Sequence, residues 1–263
     1  AAWATVLAIS ISLVVALIMF NKGEHRVQFL WRYFKFIPNI HKEAILLGFP
    51  IFLSYTGFAL MLVMVNLAIV RVGGNQTDLL ISAHGMFNRT FMLIFLPVLG
   101  MMIAFQTFAG FNYGAQKLQR VKEGLKVALL FSSAYGIVWT AFMLTKSQWF
   151  FQLFSSDRQL IDAGVEIASI FFLAYAVIGI RTICPALFQA LGFAKPAIVL
   201  NGLHNYLLLL PALWFLSQHF GVVGIWWAFP VVDVLGALII GVYTVRFMDR
   251  LNDPSSELAY EGT

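Results

Sequence analysis

Apolar runs of roughly 20 residues, each cut off by a short cluster of charge, Gly, Pro or Asn, recur along this chain and predict helices long enough to cross a lipid bilayer. They fall at about Trp3–Phe20, Ala44–Val72, Leu80–Phe111, Val127–Thr145, Ile161–Leu191, Ala197–Ser217 and Val222–Phe247. About seven such spans predict an all-α integral membrane protein. The first stands apart. It is followed by a basic stretch, Asn21 to Lys42, whose interleaved aromatic residues (FLWRYFKFI) suit an amphipathic helix on the membrane surface. At the other end, the polar run from Asn252 to Thr263 (NDPSSELAYEGT) predicts a disordered tail.

Composition strengthens this picture. Hydrophobic residues make up 60% of the 263 and charged residues 11%, against roughly 45–50% and 25% in soluble domains. A water-soluble fold of this length has nowhere to hide so much apolar surface. The net charge of +5 does not point to nucleic acid, because the basic residues sit between apolar spans rather than in one patch. They report topology instead. Lys22, Arg26, Arg32, Lys35, Lys42, Lys117, Arg120, Lys122, Lys126, Lys195, Arg246 and Arg250 fall on one side of the predicted spans, and only Arg71, Lys146 and Arg158 on the other. The positive-inside rule makes the first side cytoplasmic and places the C-terminus there, in a cell inner (plasma) membrane. The start of the chain has no initiator methionine and no basic region ahead of its apolar run, so it does not resemble a signal peptide and reads as a chain entered mid-protein.

Chemistry is sought among polar groups inside the spans, since each costs a few kcal/mol in hydrocarbon and should face a packed interior or a water-filled path. Asp233, near the middle of the last span, is the candidate coupling carboxylate, with backbone capping near Pro230 as the structural alternative. Arg89 and Arg181 are deep enough to need a partner, and Asp233 is available to either. Asn88, Gln106, Gln189, Asn201 and Asn205 are candidate cavity residues; Asn201, His204 and Asn205, at i, i+3 and i+4, form one polar stripe that either glues helices or lines a cavity. Pro50, Pro97, Pro185, Pro211 and Pro230 lie inside spans, where transporters bend helices around a central cavity. The supply of aromatic and Met side chains, 26 Phe, 8 Tyr, 7 Trp and 9 Met, suits large apolar cations through cation-π contacts and adaptable packing. A single cysteine, Cys184, excludes an intrachain disulfide or a cysteine metal site. Neither HExxH nor GxSxG occurs, which argues against an intramembrane enzyme; no cofactor or metal is implied.

Three stretches then carry a family resemblance. Phe105 to Arg120 places Gln106 ahead of Asn112-Tyr113-Gly114 and a basic loop; Phe188 to Pro196 reads FQALGFAKP; Gly221 to Asp233 reads GVVGIWWAFPVVD. In these, from about Ile40 to Arg250, the chain resembles the C-terminal lobe of a multidrug and toxic compound extrusion (MATE) transporter. The resemblance implies one lobe of a two-lobe, twelve-helix transporter: residues 1–20 the last helix of an N-terminal lobe, 21–42 a cytoplasmic linker, 43–250 a six-helix C-terminal lobe and 251–263 a cytoplasmic tail. It implies exchange of protons or sodium for amphipathic organic cations by alternating access, with the N-terminal lobe as a missing partner and Asn112, Tyr113 and Gly114 as the signature turn. Some members carry acidic residues where this chain reads GFPIFLSYTG and AVIGIRTICP, so proton coupling is the expectation rather than sodium coordination in this lobe. The alternatives are a lipid-linked or polysaccharide flippase of the same superfamily, or a non-transporting remnant completed by a second chain.

Overall fold

A computed structural model describes residues 2–22 and 37–251. It divides into two units, Ala1–Ala44 and Ile45–Thr263. The first contains α1 (Ala2–Lys22), an apolar helix whose described side chains are exposed. Most of the expected surface linker, and residues 252–263 of the expected tail, lie outside the described residues; Leu251 still belongs to the last helix.

From Pro38 onward the described chain is helical and contains no strand. α2 (Pro38–Val72), α3 (Thr77–Gly114) and α4 (Leu118–Gln152) are single long helices. The fifth predicted span is composite: α5 (Arg158–Phe171), a 3-10 segment (Phe172–Val177) and α6 (Ile178–Ala190). The sixth begins with α7 (Ala194–Gly202), widens into a π turn (Leu203–Leu209), and continues as α8 (Leu210–Leu251). α8 is in fact two helices, because Gly221 has φ 61 and ψ −140. Only glycine occupies that region readily, so Gly221 separates the sixth and seventh spans where the sequence placed the boundary. The basic residues Arg120, Lys122 and Lys126, expected in a loop, instead ride on the first turns of α4. The loop itself is Ala115–Lys117, since a helix has no reason to end where the hydrocarbon does and long basic side chains reach the headgroups from it.

Helix ends follow local chemistry. Asp157 caps α5 by accepting from the backbone N–H groups of Gln159 (2.9 Å) and Leu160 (3.4 Å). α3 and α6 end in the same left-handed cap, at Gln116 (φ 59) and Gly192 (φ 83). In both, the next N–H reaches back five residues, Lys117 to Asn112 O (2.8 Å) and Phe193 to Phe188 O (2.8 Å). The rings of Tyr113 and Phe193 meet at 6.4 Å, so the two turns pack together.

Inside the spans, broken ladders are repaired by neighbours. Pro97 interrupts α3, and the nearby carbonyl of Ile94 accepts from both Tyr135 of α4 (2.8 Å) and Tyr175 of the 3-10 segment (3.3 Å). Pro211 lies two residues past the π turn, and the extra width of that turn relieves the collision of the proline ring with the preceding carbonyls. Around these joints lies the larger apolar core, with Phe87, Phe91, Phe171, Phe172, Tyr175 and Trp226 among its members.

Gly136 of α4 sets how closely that core closes. A Cβ there would stand 2.6 Å from the Tyr175 carbonyl oxygen and 2.8 Å from the Ala176 Cα, both backbone atoms with no freedom to yield. Gly136→Val is therefore expected to destabilise by about 1–3 kcal/mol through overpacking, outweighing any gain in helix propensity. Thermal unfolding in detergent micelles should show the loss, and an unchanged midpoint would mean α4 and the 3-10 segment are not in this contact.

Candidate functional site

Three helices bring their charged and titratable groups to one point. Arg181 of α6 places Nε 3.3 Å from Asp233 Oδ1 of α8, and His204 of the π turn places Nε2 3.4 Å from the same oxygen. Asp233 and His204 are buried, whereas the Arg181 side chain keeps 23% of its surface exposed. The Arg181–Asp233 ion pair answers which arginine Asp233 meets. Arg89 is exposed on α3 and has no ion pair among the described residues.

The local sequence explains how these groups come together. Pro185 has no N–H to give to the carbonyl of Arg181 four residues earlier, and Pro230 none to give to Trp226, so each helix is loosened at the turn that carries a site residue. The π turn holds one residue more than an α turn of the same length, which shifts His204 and Asn205 against the stripe begun by Asn201. That stripe consequently divides. Asn201 serves as glue, accepting from Ser54 Oγ of α2 (2.9 Å) and donating to Ala197 O (2.9 Å), while His204 and Asn205 line a cavity.

The cavity is of about 70 Å³. Its aromatic walls are Phe58, Phe87, Phe91, Phe171, Trp226 and Phe229; its polar groups are His84, Asn88, Arg181, His204, Asn205 and Asp233. Asn88 donates to His84 Nε2 (2.9 Å), and the His84 ring lies 5.8 Å from that of Trp226. Several polar atoms nevertheless stay unused. Trp226 Nε1 and His204 Nδ1 are buried without a hydrogen-bond partner, and Arg181 Nε has only the ion pair.

The remaining candidates lie elsewhere. Gln106 donates to Gln189 Oε1 (3.1 Å), tying α3 to α6 outside the cavity. Asn112 is buried, donates to Phe108 O (2.8 Å) and accepts through its carbonyl from Lys117; with Tyr113 and Gly114, expected in the signature turn, it belongs to the last turn of α3, and the turn itself follows at Ala115–Lys117. Three cavity groups are not among the site candidates that the sequence offers: His84, His204 as a partner of Asp233, and Trp226 as an orphan donor. His204 was visible as part of the polar stripe, and Trp226 within GVVGIWWAFPVVD; their meeting with Arg181 and Asp233 crosses helices and leaves no local signal.

Comparison with known proteins gives these observations a family. The MatE family model matches residues 50–215. YoeA of Bacillus subtilis is 22% identical over 92% of this chain and 52% of its own length, and the multidrug export protein MepA of Staphylococcus haemolyticus is 21% identical over 98% and 56%. Among solved structures, one described as the MATE multidrug transporter DinF-BH superposes with a TM-score of 0.80 at 29% identity, over 92% of this chain and 54% of that one. A second, a MATE in complex with MaL6, gives 0.84 at 18% identity over 95% and 56%. The chain thus spans about half the length of the relatives it matches, and its six spans from Ile45 onward have the fold of one half of such transporters. With a family model covering most of its length and that fold beneath it, this chain belongs to the MatE family of membrane transporters.

Proposed function

We propose that the chain acts as the C-terminal lobe of a proton-coupled exporter of amphipathic organic cations, lying in the inner (plasma) membrane with its C-terminus cytoplasmic. The observation that carries this reading is the Arg181–Asp233–His204 cluster opening onto an aromatic cavity within the spans. Ionisable groups in hydrocarbon are expensive and mark substrate and ion pathways. About 70 Å³ holds only two or so waters, at roughly 30 Å³ each, whereas drug-sized sites run to roughly 300–1,000 Å³. The cavity is accordingly the inner end of a larger cleft, whose opposite wall a first lobe supplies.

The same geometry favours the proton over sodium. The Arg181 guanidinium stands against Asp233 where a sodium ion and its cage of oxygen ligands would have to stand. A proton needs no such cage. Arg181 balances the charge of Asp233 at rest, and an incoming proton is shared between Asp233 and His204 across their 3.4 Å contact. Charge on Asp233 then decides whether α6 and α8 stay clasped. Pro185, Pro230 and Gly221 supply the loosened turns at which the helices reorient, and alternating access requires such a two-state element.

Efflux of an ethidium-like dye from cells expressing the full-length reading frame tests this. Wild type should pump under a proton gradient and not under sodium alone, and Asp233→Asn should reach the membrane in normal amount yet lose at least about tenfold in rate, the fold-change of 1.4 kcal/mol. Sodium-driven pumping, or a fully active Asp233→Asn, would contradict the proposed coupling role.

A further inference from the structure

Charge balance and unused donors in the cavity narrow the substrate beyond the exporter reading, on which this step rests. Arg181 and Asp233 together make the resting cavity neutral, since the other titratable groups facing it, His84 and His204, carry no formal charge when deprotonated. A simple organic cation entering it adds one positive charge that the resting pair does not compensate, so it is held the more weakly of the two classes. A zwitterion adds none. Its cationic centre pairs with Asp233 and its anionic group with Arg181, so one internal ion pair is exchanged for two and the site stays neutral.

The hydrogen-bond inventory points the same way. The guanidinium carries five N–H donors, of which only Nε is engaged, by a 3.3 Å ion pair, and the group is partly exposed where it lines the cavity. Trp226, itself only 1% exposed, lines the same cavity with an indole N–H that has no partner. Asp233 is the sole carboxylate among the lining residues. The Arg181 and Trp226 N–H groups are left over once Asp233 is counted, and a compact acceptor completes them. A carboxylate fits a space of about 70 Å³ and meets the planar guanidinium with two parallel hydrogen bonds. We infer that this cavity is a carboxylate subsite, and that the preferred substrates are zwitterionic amphiphiles whose acidic group binds Arg181 while the cationic, aromatic body rests on the phenylalanine wall.

The test compares two dyes that differ only in that group, rhodamine 19, a free acid, and its ethyl ester, by fluorescence anisotropy with the purified full-length transporter in lipid nanodiscs. The acid should bind at least about tenfold more tightly, equivalent to 1.4 kcal/mol. Benzoate should displace the acid but not the ester. Arg181→Gln should abolish the preference, so that the acid binds no more tightly than the ester, and Trp226→Phe, which keeps an aromatic ring and removes the donor, should erase part of it. Should Arg181→Gln fail to fold, the wild-type ratio and the benzoate competition decide the matter alone. Equal binding of the two dyes, or an acid preference that survives in folded Arg181→Gln, overturns the carboxylate subsite and leaves the exporter reading standing. Binding of neither dye would overturn both.

Discussion

A charge inside hydrocarbon must be answered by another charge, and the arrangement of this lobe depends on how Arg181 and Asp233 answer each other. The pair joins α6 to the second half of α8, two elements far apart in sequence, and His204 adds the π turn to the same oxygen. Leaving one member alone would cost about 3–5 kcal/mol, more than any single apolar contact nearby is worth. The helices that carry them are thereby held in register, and the aromatic cavity exists because these three elements meet around groups that cannot pack like leucines.

Irregular backbone is the means by which the groups reach one another. A straight helix through residues 158–190 would contain neither the 3-10 segment nor the loosened turn above Arg181, and a straight helix through 194–251 would have neither the π turn nor the break at Gly221. Each irregularity leaves backbone groups short of a partner, and the surroundings restore what they can. Tyr135 and Tyr175 converge on Ile94 O beside Pro97, and Tyr206 donates to Leu53 O (3.1 Å), fastening the π turn to α2.

Much of this was legible in the sequence because hydrocarbon imposes a simple rule. Each predicted span corresponds to a helix or a helical composite, and the Gly221 boundary was marked by the polar and aromatic punctuation around it. The 3-10 and π segments were not legible, since FLAYAV and LHNYLLL are as apolar and helix-compatible as their neighbours and differ only in what packs against them. Asp233 and Arg181 stood out as isolated charges, yet nothing local told Arg181 from Arg89 as the partner; the choice rests on which helix faces α8. The division of Asn201 from His204 and Asn205 was likewise invisible, because it depends on the π turn that shifts one part of the stripe against the other.

The claim that Arg181 and Asp233 are a mutually dependent pair within the spans is tested most directly by a double-mutant cycle on the stability of the full-length protein in detergent, using Arg181→Gln, Asp233→Asn and the combination. The account predicts that each single change is strongly destabilising and that the double variant recovers most of the loss, because no uncompensated charge remains. Additive losses would contradict it.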